Sequence, residues 1–264
     1  MKERFAYRNR NQDSYLKLLV FFFFFSCSYS FSQFKPITPH AEISILTIDS
    51  GTSLNDAFGH SAYRINDSIA KVDVIFDYGR YDFNTPNFYL KFAQGKLNYL
   101  ISRHNFSDFF NHYVRYNRTI EEQVLNLSDA EKQDLFNYLE TNYKPENRRY
   151  LYDFFYDNCA TKMRDVVQNT SDKTIVFNNP ENFKPKTFRA LIYEHVNRNS
   201  WGSFGIDIAL GSVIDKEATH NEHMYLPKYI FEFCEQKNSS KKHTRPTDRR
   251  HRMLFKTGAN KKKI

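Results

Sequence analysis

Two short segments carry residues suited to covalent chemistry. Ala57-Phe58-Gly59-His60-Ser61-Ala62 holds a histidine, and Tyr156-Asp157-Asn158-Cys159-Ala160-Thr161 holds a cysteine. A thiol at its ordinary pKa is a weak nucleophile; beside an imidazole, or at the positive end of a helix, it becomes a strong one. Asp157 and Asn158 are favourable N-cap types, and Met163, Val166 and Val167 recur as the buried face of a following helix. Cys159 is therefore expected in a first helical turn, where the dipole favours thiolate and backbone N–H groups can receive an oxyanion.

The histidine needs a strand and a partner. Glu42 to Asp49 alternates as a strand, a polar loop covers Ser50 to Asp56, and His60–Ile65 and Val72–Tyr78 read as two more strands. Asn66-Asp67-Ser68 is a turn signal between them. A hairpin folded about Ser68 and Ile69 sets His60 opposite Asp77, within side-chain reach. Asp77 is thus the expected third group, orienting the imidazole; a register one residue different would set Phe76 or Tyr78 there instead.

Candidate substrate contacts surround these three. Gly59 lets a substrate come close to the backbone, or else eases a tight turn. Asn158 adjoins the nucleophile, and Tyr152, Phe154, Phe155 and Tyr156, in the aromatic run Tyr150–Tyr156, are candidates for an apolar groove. Core packing is the alternative for each ring. His220-x-x-His223 with Glu222 between suggests a metal pair, but no further ligand cluster joins it, so no metal is expected. With no Walker loop, dinucleotide fingerprint or Gly-x-Ser-x-Gly elbow, no cofactor is expected either.

Further elements follow from local signals. Asn87–Leu100 and Phe106–Tyr116 read as helices, and Ser128 with Glu131 makes a capping box opening another. Phe188–Val196 reads as a helix, and Trp201–Leu210, with its glycines, as a loop entering a strand or helix.

Charge divides the 264 residues into three parts. Residues 1–32 carry +3 and run from basic to apolar, with Phe21 to Phe25, to small polar residues, the layout of a secretory signal peptide. Residues 235–264 carry +9 and lack apolar periodicity, so a disordered basic tail is expected, with anionic lipid head groups as one partner for it. Residues 33–234, the expected catalytic domain, carry −4, so the total of +8 comes from the ends and no nucleic-acid partner is expected.

Longer motifs carry a resemblance. Phe58-Gly59-His60-Ser61-Ala62-x-Arg64, Tyr78-Gly79-x-Tyr81-Asp82-Phe83-Asn84-Thr85-Pro86-Asn87-Phe88-Tyr89, Gly95-Lys96-Leu97, Tyr152–Cys159 and Gly205-Ile206-Asp207-x-Ala209-Leu210-Gly211 resemble the periplasmic domain of the bacterial lipoprotein N-acyltransferase Lnb family. The resemblance spans about Ile43 to Tyr229. It implies an exported, membrane-associated thiol acyltransferase facing the membrane from the periplasm. Cys159 would be the nucleophile and His60 the base. The donor would be a phospholipid or diacylglyceryl ester, and the acceptor a lipoprotein N-terminus. The order His before Cys resembles circularly permuted papain-like (NlpC/P60-like) enzymes, so the expected fold is α+β, an antiparallel sheet packed on helices. Family members commonly continue into C-terminal transmembrane helices, whereas here the sequence runs to Lys261-Lys262-Lys263-Ile264.

Two other functions fit the same residues. Water as acceptor makes a cysteine peptidase, amidase or lipid esterase. A Cys159–Cys234 disulfide makes a non-enzymatic envelope binding protein.

Overall fold

Strand β1 (Glu42–Ile48) is buried on both faces, with Ile43, Ile45, Leu46 and Ile48 at most 1% exposed, because it lies inside a sheet covered on each side. The computed structural model describes residues 36–171, 177, 182–235 and 248–256, all within one unit, Pro36–Ile264. The signal peptide expected at 1–32 lies outside the described residues.

The elements continue as β2 (His60–Asp67), β3 (Val72–Arg80), α1 (Phe88–Ala93), β4 (Asn98–Asn105), α2 (Phe106–Arg115), β5 (Ile120–Leu125), α3 (Asp129–Tyr143), β6 (Arg149–Leu151), α4 (Cys159–Thr170), α5 (Phe188–Tyr193), α6 (Trp201–Leu210), α7 (His220–His223), α8 (Pro227–Glu235) and β7 (Asp248–Phe255). The strands form one antiparallel sheet, β6-β4-β3-β2-β1-β5-β7, so the fold is α+β.

The two faces of β2 show how the sheet is covered. Its even residues join α2: Ala62 lies in one cluster with Phe109 and Tyr113, and the Arg64 guanidinium sits 3.5 Å from the Phe106 ring. Its odd residues meet α4, where the Tyr63 hydroxyl donates to the Met163 carbonyl at 2.5 Å. Ser128 caps α3 as expected, accepting from the Glu131 N–H while Glu131 accepts from the Ser128 N–H.

Three expectations are corrected. The helix expected over Asn87–Leu100 ends at Ala93, and β4 begins at Asn98, pairing with β3 and β6. Trp201–Leu210 is a helix, capped by Ser200 and ended by Gly211 at φ 59°. The basic tail is not disordered over Asp248–Phe255: this stretch is an edge strand on β5. Leu254 and Phe255 pack against the α2 cluster, and Arg252 pairs with Glu42 and the buried Glu122. The tail's charge there neutralises acids of the sheet.

The hairpin register also differs. Asp67 is buried and its Oδ1 accepts from the Ile69 and Ala70 N–H groups, while Lys71 takes φ 55°. The turn is therefore longer than Asn66-Asp67-Ser68, and Ala62, not His60, lies opposite Asp77. A two-residue shift preserves the face, as a one-residue slip would not. His60 reaches Asp77 on the diagonal.

Candidate active site

The site lies at the end of the sheet where β1 and β3 finish and β2 and β5 start. His60 opens β2 with its side chain on the α2 face, its ring 6.3 Å from that of Tyr113 and 6.5 Å from that of Phe109. His60 Nε2 lies 3.0 Å from Asp77 Oδ2. An ionised carboxylate only accepts, so Nε2 carries the proton and Nδ1 is left to meet the thiol. The His60 side chain is 16% exposed and that of Asp77 fully buried.

Asp77 is held from several directions. The Ser102 hydroxyl donates to Oδ1 at 2.5 Å, Arg80 donates to Oδ2 from Nε and Nη2, each at 2.7 Å, and His104 Nε2 stands 3.5 Å from Oδ1. Burial alone would raise its pKa; the His104 and His60 hydrogen bonds and the Arg80 charge hold it well below the ordinary range. These partners went unread in the sequence. Ser102 and His104 lie two apart on β4, opposite Asp77 and Ile75, so reading β4 as a strand would have found them.

Cys159 is the first residue of α4. Asn158 caps that helix, accepting from the N–H groups of Ala160 (2.8 Å) and Thr161 (2.9 Å), while its amide donates to the carbonyls of Phe154 (2.7 Å) and Tyr225 (2.8 Å). The Lys162 N–H donates to the Asn158 carbonyl. Of the first-turn N–H groups, that of Cys159 itself has no acceptor among the described residues.

Burial would push the thiol up. The charge and hydrogen bond of His60, joined by the Ser61 N–H, outweigh it and hold the Cys159 pKa below its ordinary value. Burial would likewise lower His60; the fields of Tyr113 and Cys159 and the Asp77 hydrogen bond hold its pKa well above the ordinary value. Both directions favour the thiolate–imidazolium form of the pair, with a buried carboxylate behind it.

Gly79, in the irregular register between Asp77 and Arg80, leaves the approach open. It takes φ 96°, and a Cβ there would stand 3.8 Å from Tyr152 Cε2 and 3.9 Å from Cys159 Cβ. Tyr152 stacks on Tyr99 at 4.2 Å. The Tyr150 hydroxyl is buried without a partner among the described residues, and after burial it is the Cys159 charge that most raises its pKa.

The structure thus brings Cys159, His60 and Asp77 together and relocates the expected substrate contacts. Asn158 is 3% exposed and both atoms of its amide are engaged within the protein, so it offers a substrate nothing. Gly59 serves a turn: it takes φ 83°, and a Cβ would stand 2.7 Å from the Ile48 carbonyl. Phe154 packs on Phe58 and Tyr225, Phe155 on Phe188 and Tyr225, and the 54%-exposed Tyr156 reaches toward Glu222, so of the four expected rings it is Tyr152 that borders the thiol, joined there by Tyr150. No disulfide joins Cys159 to Cys234, which is buried near the end of α8. His223 Nδ1 donates to the Thr219 carbonyl and Nε2 accepts from the Lys186 N–H, and no group of three metal-ligating side chains occurs among the described residues.

Residues 33–193 match the model of the Lnb N-terminal periplasmic domain. The chain belongs to the Lnb family. No curated protein and no solved structure matches it. Membership in a periplasmic-domain family sets an envelope context, and no helix among the described residues is long and apolar enough to cross a membrane.

Proposed function

We propose that this Lnb-family domain is an exported thiol acyltransferase that N-acylates a bacterial lipoprotein from a lipid ester. One observation carries this: a thiol at a helix start beside an imidazole that a buried carboxylate fixes from behind. The Cys159 thiolate attacks the ester carbonyl of a phospholipid or diacylglyceryl donor and a C–S bond forms. The Cys159 N–H, with no internal acceptor among the described residues, faces the oxyanion. As the tetrahedral species collapses, the C–O bond breaks and His60 gives its Nδ1 proton to the leaving glyceryl oxygen, leaving a thioester. The acceptor amine then attacks, His60 takes its proton, and C–S cleavage returns the thiolate. A hairpin His preceding a helix-start Cys supports a permuted papain-like architecture for this chemistry.

The test is mass spectrometry of the protein incubated with a diacylglyceryl lipopeptide bearing a free N-terminus. Expected are an acyl adduct on Cys159 and an N-acylated peptide, both lost in Cys159→Ala. Free fatty acid without N-acyl peptide would make the domain a hydrolase. Undiminished N-acylation by Cys159→Ala would overturn the mechanism.

A further inference from the structure

Helix α6 is turned inside out. Its polar residues face the protein: Ser203 is 1% exposed, and Asp207 accepts from Arg189 at 2.5 Å and from the Tyr193 hydroxyl at 2.7 Å. Its apolar residues face solvent: Trp201 is 87%, Phe204 55% and Ile208 67% exposed, at spacings that place them on one face, and Val213 beyond the helix is 71% exposed. A soluble helix normally shows the opposite pattern, and a contiguous exposed apolar ridge marks a contact surface.

A second apolar tip stands at the same end of the sheet. The loop after β3 carries Phe83 at 65% exposure, and α1 carries Leu90 at 57%. Each tip is linked to a segment that holds the dyad. Rings run from Phe83 to Tyr81 (5.0 Å), Tyr99 (5.5 Å) and Tyr152 (4.2 Å), which borders Cys159 across Gly79. On the other side, Gly202 of α6 lies against Leu54, in the loop that leads into His60, and a Cβ there would be 3.3 Å from Leu54 Cδ2. Beside the second tip is a cleft of about 300 Å³ lined by Lys91, Lys96 and Arg149 with one carboxylate, Asp82; none of the three cations forms an ion pair among the described residues.

We propose that this end of the molecule docks on an anionic phospholipid bilayer. The ridge Trp201, Phe204, Ile208 and Val213 and the tip Phe83 and Leu90 enter the acyl boundary, and the Lys91–Lys96–Arg149 cleft takes lipid phosphates. Exposed apolar and aromatic side chains beside a cationic basin are the composition an anionic interface selects, whereas a second copy of the chain would oppose one cationic cleft to another. This extends the acyl-transfer proposal by stating where the lipid ester is met.

Trp201 is the single tryptophan of the chain, so its emission reports this ridge alone. The full-length protein is titrated with vesicles of phosphatidylethanolamine and phosphatidylglycerol, and separately with pure phosphatidylcholine. Expected are a shift of Trp201 emission to shorter wavelength on the anionic vesicles, weakened by salt, and about tenfold weaker binding in the Lys91→Glu/Lys96→Glu variant. Phe204→Ser/Ile208→Ser is expected to abolish the shift. No shift on anionic vesicles, an equal shift on phosphatidylcholine, or a shift produced by protein concentration without lipid would each overturn the proposal. Alkylation of Cys159 in the absence of vesicles separates the two proposals: rapid, His60-dependent labelling in the ridge variants leaves the dyad standing even where docking fails.

Discussion

The molecule contains two regions built from the same three residue types, and only one is arranged for chemistry. At the end of the sheet are His60, Cys159 and Tyr150; around α7 and α8 are His223, Cys234 and Tyr225. His60 has a carboxylate on one nitrogen and a thiol to serve with the other, and its pKa is held well above the ordinary value. His223 has a backbone carbonyl on one nitrogen and a backbone N–H on the other, and burial lowers its pKa, with the Thr219 carbonyl opposing. The first histidine can exchange a proton; the second is fixed as a neutral crosslink between Thr219 and Lys186. Cys159 opens a helix, where the backbone favours anion, and Cys234 lies next to the end of one, where it does not. The residue types are shared, and the two regions differ in what each side chain faces.

The largest expected contrast is between the cysteines. Cys159→Ala should lower acyl transfer on the order of 10⁴-fold or more and leave the fold intact. Cys234→Ala should leave the rate within about twofold while costing roughly 1–2 kcal/mol of stability, as a small buried side chain lost from the core. Steady-state rates and urea melts of both variants check this. Equal rate losses would dissolve the distinction between the regions.

Next is the carboxylate. Asp77→Asn removes the charge that stabilises imidazolium and offers Nε2–H a weaker acceptor, so kcat should fall about 10²-fold or more. His223→Ala should instead leave kcat near wild type and cost about 2–3 kcal/mol, because the Lys186 N–H and Thr219 carbonyl lose their buried partner. A rate loss in the His223 variant at unchanged stability would mean the second region takes part in the reaction.

The same contrast has a pH signature. Cys159 has a lowered pKa and His60 a raised one, so alkylation of wild type should hold its rate as pH falls from 9 through neutrality and drop only below the lowered thiol value. In His60→Ala that plateau should disappear, the rate climbing only at alkaline pH. For stability, His60 is raised above 6.5, so its contribution is complete below that value and is lost as pH rises through the folded pKa. Asp77 is depressed below 3.8, so its contribution is complete above that value and is lost as pH falls through the folded pKa. Urea titrations across pH should show the Asp77→Asn deficit shrinking in acid and the His60→Ala deficit shrinking in alkali.

Much of the dyad is legible in the chain because its determinants are local. Alternation marks β1, a turn signal between two apolar stretches marks β2 and β3, and Asn158 before Met163, Val166 and Val167 marks the start of α4. Even the misjudged turn preserved the partnership of His60 and Asp77, since the register shifted by two and kept the face. Distant partners were not legible. β4 owes its extended form to pairing with β3 and β6, which overrides a helical-looking aromatic stretch. β7 looks like solvated tail because its charges match Glu42 and Glu122, far away in sequence; charge on an edge strand is also how sheets protect their margins. Asn158 reads as a substrate ligand beside the nucleophile until its bonds to Phe154 and Tyr225 are seen.

The smallest expected effect separates the two tyrosines. The Tyr150 and Tyr225 hydroxyls are both buried without a hydrogen-bond partner among the described residues, and burial raises both pKa values. An unpaired buried hydroxyl costs about 1–3 kcal/mol, so removing it by Tyr→Phe should leave either protein as stable as wild type or more so. After burial, what raises the Tyr150 pKa most is Cys159, and what raises the Tyr225 pKa most is Tyr229. If Tyr150 holds its proton ready for the oxyanion that forms at Cys159, Tyr150→Phe should lower kcat about tenfold with KM little changed, while Tyr225→Phe leaves both alone. Stability and rate would then move in opposite directions at Tyr150, an outcome that loss of packing cannot produce. A Tyr150→Phe enzyme with full kcat would assign the unpaired hydroxyl to the core and leave the Cys159 N–H as the oxyanion's donor.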